Sequence, residues 1–582
     1  MPGGSLLIAG HGRVAMPPLI LPLTGRWASI TGARWALWHI VPLAVLHLVA
    51  LVLLLLNEYY EFPYVAGFLL AWGILNFIWL TLLRRPSVAA MLSLAMIVIL
   101  IEASKYKVSI VAQTVNFSDL MIIDPATVAF LFALFPGFRV YVTIAAGLLA
   151  VALALLWRLD VLRLPRIVAL AGAGSCLVGL VGLSFSHPFE IFWYGRGHVS
   201  NFARSGVDAV WEFGKNGFME SDATVTERLK TTLDTTCQPA GRPPHIILVH
   251  DESAFDIRMV PNIKVPPRYG DHFLSFDGKQ RNLLIEVVGG GSWYTEFNVL
   301  AGLSTRSFGK FAYFVTRIAA KRIERGLPTA LRRCGYRTFS LYPYHGAFLS
   351  AKSFHTTMGV QRFHDMNDMR AREFEPDRFY YNAALRLMEQ ERAGGPMFVY
   401  VYLSGNHSPW SAPWLPELTP GWTKLGNDPV VDEYLRRQTL GMQDYRDFLA
   451  RLEQKFPGES FILLRYGDHQ PNFAPLIIEP NLSQAELAHR LLTDDPRYFT
   501  TYYAIDTINF APINISSAVE TLEVSYVPLV LLEAAGVPLD PSFVEQKRIL
   551  ERCRGLFYRC AAGAEARRFN RLLIDAGLIK RL

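Results

Sequence analysis

The chain has 582 residues, of which 51% are hydrophobic and only 18% charged, and its mean hydropathy is +0.22. Against the roughly 25% charged residues of an ordinary soluble domain, this balance excludes a disordered chain and points to membrane segments. The formal charge of +7 comes without a dense Lys/Arg stripe interleaved with aromatics, which argues against a nucleic-acid partner, and five cysteines with no CxxC spacing exclude a zinc ribbon, a thioredoxin-like motif and a disulfide scaffold.

Taking about 20 apolar residues as the crossing length of a bilayer, the sequence predicts spans at 36–56, 64–83, 87–103, 140–157 and 167–185. The third is short and ends on Glu102. A further apolar stretch at 125–136, broken by Pro136-Gly137, reads as re-entrant or interfacial. The first thirty residues lack the apolar core and cleavage site of a signal peptide, so the first span is expected to act as an uncleaved targeting signal. Arg13, Arg26 and Arg34 before the first span, Arg84 and Arg85 after the second, and Arg158, Arg163 and Arg166 between the last two mark cytoplasmic ends. The connection at 57–63 holds Glu58 and Glu61 without a Lys or Arg, and an odd number of spans exports everything after about residue 187. His47 and Asn76 inside the spans read as polar groups that satisfy one another, with a lipid path as the alternative. Residues 187–242, with Trp193, Tyr194, Phe202, Trp211 and Phe213 at loose helical spacing, read as an interfacial linker.

From residue 243 the pattern changes. Runs rich in Val, Ile, Phe and Tyr at 245–250, 283–288, 337–342, 397–403 and 460–466 alternate with amphipathic stretches at 292–302, 326–334, 379–393 and 430–455. This is α/β patterning, with crossovers long enough to return parallel strands. The expected division is a membrane domain at 1–186, a linker at 187–242, an extracytoplasmic α/β domain at 243–540, and an Arg/Lys-rich tail at 541–582 that reads as a solvated closing helix.

Open α/β sheets bind ligands outside the carboxyl ends of their strands. The five strand ends carry Asp251-Glu252-Ser253, Gly289-Gly290-Gly291-Ser292, Tyr344-His345-Gly346, Ser404-Gly405-Asn406-His407 and Gly467-Asp468-His469. Singly, each has a plain structural reading: Glu252 as a cap or ion-pair partner, Asp468-His469 as a turn, the glycines as a tight strand-to-helix bend. Together, a carboxylate, a hydroxyl at a helix start and an Asp-His pair on one sheet edge make an oxygen/nitrogen metal site carrying a nucleophile. The glycines would let backbone amides approach an anion at the helix N-terminus.

The segments HIILVHDES, GGGSWYTEF, SGNHSPW and RYGDHQP resemble the signature blocks of membrane-anchored transferases of the alkaline phosphatase and sulfatase superfamily. The nearest branch is the lipoteichoic acid synthase-like and phosphoglycerol transferases, with lipid A phosphoethanolamine transferases more distant. The resemblance extends to KVSIVAQTVNFSD at 107–119. It implies a helical membrane domain of about five spans followed by an alkaline phosphatase/sulfatase-like α/β domain. It also implies Glu252, Asp468 and His469 as ligands of one divalent ion, Mn²⁺ or Zn²⁺ with Mg²⁺ as a further possibility, and Ser292 as both ligand and nucleophile. His345, His407 and Asn406 would bind substrate, and His407 would protonate the leaving oxygen. That family usually has Thr where this chain has Ser292, so Thr295 stands as an alternative nucleophile. The sulfatase pattern CxPxR is absent around Ser292, which argues against sulfate-ester hydrolysis.

The implied reaction moves a phosphoglycerol head group from a membrane phospholipid to an envelope glycan or lipid through a Ser-linked intermediate. Phosphoethanolamine transfer, hydrolysis to water and a catalytically silent glycan receptor are the competing readings. Cys553 with Cys560 and Cys237 with Cys334 are candidate disulfides, with buried free thiols as the alternative, and Cys176 in the fifth span is expected to be unpaired. Exported cysteines and a composition that is not Lys-rich favour a bacterial inner membrane with the catalytic domain on the periplasmic side.

Overall fold

A computed structural model describes residues 40–111, 114–121, 136–187, 196–229, 237, 241–372 and 374–580. The first thirty residues, the apolar stretch at 125–135, and Trp193 and Tyr194 of the expected linker lie outside the described residues.

Continuous apolar sequence gives helices α1 (Val41–Asn57), α2 (Phe62–Leu83), α3 (Pro86–Val111), α4 (Pro136–Leu159) and α5 (Arg166–Ser186). Proline stands in the first turn of α1 and α2, where its missing N–H is not needed by the helix. Among the described residues, four helices are long and apolar enough to cross a membrane. The expected span at 36–56 begins at 36–39, outside the described residues, and α1 supplies its described part. His47 and Asn76 do not satisfy one another: His47 Nδ1 bonds the Leu43 carbonyl at 2.9 Å and Asn76 Nδ2 donates to the Trp72 carbonyl at 2.8 Å, each within its own helix.

Helix α6 (His198–Asn216) falls in the expected linker but buries its polar residues His198, Ser200, Asn201 and Arg204. The Glu58 carboxylate caps it, accepting from the Val199 amide at 2.8 Å, where the positive end of the helix dipole favours an anion.

The α/β domain is built on an eight-stranded sheet in the order β4-β3-β5-β1-β6-β7-β2-β8. The strands are β1 (His245–Asp251), β2 (Asn282–Leu284), β3 (Arg337–Leu341), β4 (Arg362–His364), β5 (Met397–Tyr402), β6 (Phe461–Gly467), β7 (Thr500–Ile508) and β8 (Thr521–Glu523). From β4 to β6 all pairings are parallel. The expected run 283–288 differs: only β2 is in the ladder, and it pairs antiparallel with β7. Since β7 is itself antiparallel to β6, the two reversals cancel, and β2 still points its carboxyl end to the edge served by β1 and β6.

Alternation along the central strands sorts their side chains between two cores. Ile246, Leu248, Tyr400, Tyr402, Leu464 and Tyr466 face one, and Ile247, Val249, Val399, Val401 and Leu463 face the other. Helix α7 (Ser292–Ala301) packs in the first, through Phe297, Val299 and Leu300. Helices α8 (Asp377–Glu391) and α9 (Pro429–Lys455) cover the second. The expected solvated tail is instead structural. Its helices α10 (Pro541–Cys553) and α11 (Ala564–Asp575) bury Phe543, Ile549, Phe569 and Leu573 in the first core, because their charged residues are spaced to leave one apolar face. The disulfides Cys237–Cys334 and Cys553–Cys560 are both present, and Cys176 is free.

Candidate metal centre

The candidate site is assembled where β1, β6 and the loop after β2 end together. Registry pairs Asp251 with Gly467, so Glu252 and Asp468 leave adjacent strands side by side. Gly467 permits the close approach: a Cβ there would stand 1.8 Å from the Ala254 carbonyl oxygen. The chain from β2 turns through Gly290 at φ +144° and Gly291 at φ +81°, backbone that L side chains rarely adopt, and delivers Ser292 as the first residue of α7.

Four of the residues expected from sequence are brought together here. His469 Nε2 lies 3.2 Å from Ser292 Oγ, 3.3 Å from Asp468 Oδ2 and 3.5 Å from Glu252 Oε1, and Ser292 Oγ is 3.4 Å from Glu252 Oε2. All four side chains are buried. The remaining polar atoms are held by the protein. Asp468 Oδ1 accepts from the Ser253 amide at 2.7 Å and from the His469 amide at 2.8 Å, and Glu252 Oε1 accepts from Ser253 Oγ at 2.8 Å. His469 Nδ1 donates to the Gln470 carbonyl at 2.8 Å, which leaves the Nε2 lone pair turned into the cluster, as in a metal-ligating imidazole.

Donors bound to one Zn²⁺ at roughly 2.0–2.1 Å in a tetrahedron stand about 3.3 Å from one another. The separations above fit that spacing, and buried Asp468 Oδ2 has no aligned hydrogen-bond partner. The donor set therefore suits a divalent cation. Burial first, and then the Asp468 carboxylate, push Glu252 up to about 8, whereas His469 and His250 hold Asp468 below the usual carboxylate range in spite of its burial.

Thr295 points elsewhere. Its hydroxyl donates to the Asp468 carbonyl at 2.7 Å and it has no exposed surface, so it ties α7 to the β6 loop while Ser292 presents the hydroxyl to the cluster.

His345 and His407 stand on the loops after β3 and β5, at the same edge but outside the four-residue cluster. His407 Nδ1 donates to the Ser408 carbonyl at 2.7 Å, and its ring stacks on Phe374 and meets Tyr344 edge-on. Its loop is clamped by Arg437, which donates to the carbonyls of His407, Pro409 and Ala412 while paired with Glu433 at 2.6 Å. On the other side of that loop, the Asp377 carboxylate accepts from the Gly405 amide at 3.0 Å. Asn406 Oδ1 accepts from the Trp410 indole at 3.2 Å, and its buried amide nitrogen has no partner among the described residues. His345 Nδ1 accepts from Asn367 at 3.2 Å.

Sequence reasoning missed His250. It sits on β1, two residues before Glu252, which follows the strand's last residue, and it is fully buried, with Nε2 3.1 Å from Asp468 Oδ2. The two-residue spacing of His250 and Glu252 at the end of a strand was the signal available in the sequence.

Residues 287–493 match the family model described as Sulfatase, which marks this part of the α/β domain as sulfatase-like. Among curated proteins, the chain is 28% identical over 245 residues to the capsular polysaccharide biosynthesis protein RkpI of Rhizobium meliloti, an alignment covering 39% of this chain and 41% of that protein. It is 23% identical over 273 residues to an uncharacterized protein of Haemophilus influenzae, covering 44% and 46%. The chain thus spans under half the length of the curated relatives it matches. Among solved structures, the phosphoglycerol transferase GacH of Streptococcus pyogenes is similar with a TM-score of 0.44 at 16% identity, over 60% of this chain and 92% of that one. The phosphoethanolamine transferase EptA of Neisseria meningitidis is similar with a TM-score of 0.37 at 12% identity, over 81% and 95%.

Proposed function

We propose that this protein is a membrane-embedded, metal-dependent transferase that moves a phosphoglycerol head group from a phospholipid to an envelope glycan or lipid through a covalent intermediate on Ser292. The observation that carries the reading is the placement of Ser292 Oγ, at the start of α7 and within 3.2–3.4 Å of His469 and Glu252 in a buried cluster suited to a cation. The sulfatase family match supports the phosphoester or sulfoester class of substrate. Four helices fit to cross a membrane support a lipid donor and a site held at the membrane surface. The relative named for capsular polysaccharide biosynthesis is in keeping with a glycan acceptor.

Glu252, Ser292, Asp468 and His469 would hold one Zn²⁺ or Mn²⁺. The ion's contribution is to offset phosphoryl charge and acidify the serine hydroxyl. Ser292 Oγ attacks the head-group phosphorus, shedding its proton in the direction of Glu252, towards which it already donates. A Ser–O–P bond forms, and the bond from phosphorus to the diacylglycerol oxygen breaks. His407 supplies a proton to that oxygen from Nε2, since Nδ1 is engaged by the Ser408 carbonyl. The acceptor hydroxyl then attacks the same phosphorus and gives its proton to His407, the Ser–O–P bond breaks, and Ser292 Oγ takes back the proton held on the Glu252 side. The dipole of α7 favours the anion throughout. Asn406 and His345 complete the substrate side of the site, which faces the periplasm of a bacterial inner membrane.

The test is to incubate detergent-purified, metal-loaded protein with phosphatidylglycerol carrying a fluorescent acyl chain, with phosphatidylethanolamine alongside. Fluorescent diacylglycerol from phosphatidylglycerol alone, lost in Ser292→Ala, is expected. Release from phosphatidylethanolamine alone overturns the head group, and release from neither overturns the transferase reading.

A further inference from the structure

A second imidazole lies against the cluster. His250 has no exposed surface, and its Nδ1 faces the hydroxyls of Tyr400 and Tyr466, each at 2.8 Å, which are themselves 3.2 Å apart. Tyr402 stacks on the ring with centroids 3.8 Å apart. This surround follows from registry, because Tyr402 and Tyr466 flank His250 on the neighbouring strands and Tyr400 lies two residues back on the same face. The ring is therefore fixed with Nε2 directed at Asp468 Oδ2, 3.1 Å away. Neither of these two buried atoms has an aligned hydrogen-bond partner. A metal ligand shows this pattern: one ring nitrogen is held by neighbouring hydroxyls, and the other faces a carboxylate oxygen at contact distance without an aligned hydrogen bond between them. Ligand atoms of His250, Glu252 and Asp468 all fall within 4.8 Å of one another.

We propose that His250 is a further ligand of the cation at this site, making it a two-imidazole centre that favours Zn²⁺ over Mn²⁺. The inference rests on the metal-dependent reading above. Imidazole nitrogen suits zinc, whereas carboxylate and hydroxyl oxygen alone suit manganese and magnesium equally well. An additional donor would make the site five-coordinate before substrate arrives, a number zinc reaches in catalytic centres.

The experiment loads the full-length apoprotein with one equivalent of Zn²⁺ and counts imidazole ligands by X-ray absorption fine structure, with no lipid present. Two imidazoles are expected in the wild type and one in His250→Gln. The substitution is also expected to weaken Zn²⁺ at least about tenfold in competition with a chelator, and Mn²⁺ by less. A wild-type spectrum with one imidazole overturns the proposal and leaves the four-residue site standing, with His250 reduced to a neighbour of Asp468. The wild-type count decides even where His250→Gln does not fold. A protein that retains no ion at one equivalent overturns this proposal and the metal-dependent reading together.

Discussion

Ser292 and Thr295 lie one turn apart on α7, both as buried hydroxyls, but in different surroundings: Ser292 faces Glu252 and His469, and Thr295 faces the Asp468 carbonyl. Replacing Thr295 with Val keeps shape and volume but removes the donor that meets the Asp468 carbonyl at 2.7 Å. That carbonyl is then left unpaired in a place without solvent, at a cost of about 1–3 kcal/mol. For a domain of this size the cost corresponds to a fall of roughly 1–4 °C in melting temperature. Ser292→Ala removes one hydroxyl from the cluster without orphaning a backbone group, so its stability should match the wild type within about 1 kcal/mol. Its turnover should fall by at least about 10³-fold, as for loss of a nucleophile. The assay is diacylglycerol release below the melting range of both variants, beside thermal unfolding in detergent. A folded, metal-loaded Thr295→Val as inactive as Ser292→Ala would refute the assignment, and so would a Ser292→Ala that keeps a tenth of wild-type turnover.

Other consequences can be measured on the same preparation. Below a pH of about 8 Glu252 carries a proton that an incoming cation displaces, so metal affinity should climb by up to about tenfold per pH unit towards that value and flatten above it; isothermal titration across pH checks the sign. Arg437→Met should release the loop bearing His407, lowering stability by about 2–4 kcal/mol and turnover at least tenfold, with the metal content by mass spectrometry unchanged. Converting Cys237 and Cys334 to Ser should cost up to about 4–5 kcal/mol, because the bridge closes residues 97 apart; chemical denaturation reads the change.

The parts of this protein visible in its sequence are those where one local pattern suffices. β1, β3, β5 and β6 are parallel and buried on both faces, and such strands read as unbroken apolar runs. The three-residue strands β4 and β8 are too short to show a pattern. β7 carries Asp506 in its ladder, which looks unsuited to a sheet until Arg465 on β6 and Tyr445 on α9 are found to meet that carboxylate. The helices at 541–575 read as solvated because sequence shows their charges, while the core that receives Phe543 and Phe569 is assembled from strands far away in the chain. In the site, Glu252, Ser292, Asp468 and His469 were legible because each ends a strand or begins a helix, where chemistry is concentrated. His250 was not, since a histidine inside an apolar strand becomes informative only when β6 sets Asp468 beside it.

The apolar helices also reach α7, which begins at Ser292, by a traceable path. Lys107, near the end of α3, pairs with Asp119 at 2.9 Å and lies 4.4 Å from the centre of the Tyr313 ring. The Tyr313 carbonyl accepts from the indole of Trp293 at 2.8 Å, and Trp293 follows Ser292. Phe213 of α6 packs on Phe311 in the same 305–314 segment, and the Ser307 carbonyl accepts from the Glu220 amide at 2.7 Å. Lys107→Met would leave the largely buried Asp119 carboxylate without its cation, at a cost of about 3 kcal/mol, whereas Lys107→Met with Asp119→Asn would leave no charge behind and recover most of it. Turnover of a lipid donor should follow the same order, low in the single variant and largely restored in the double, with zinc affinity the same in all three proteins. A double variant as impaired as Lys107→Met would show that the charge itself is needed and that the path from α3 to Trp293 does not act through neutral packing.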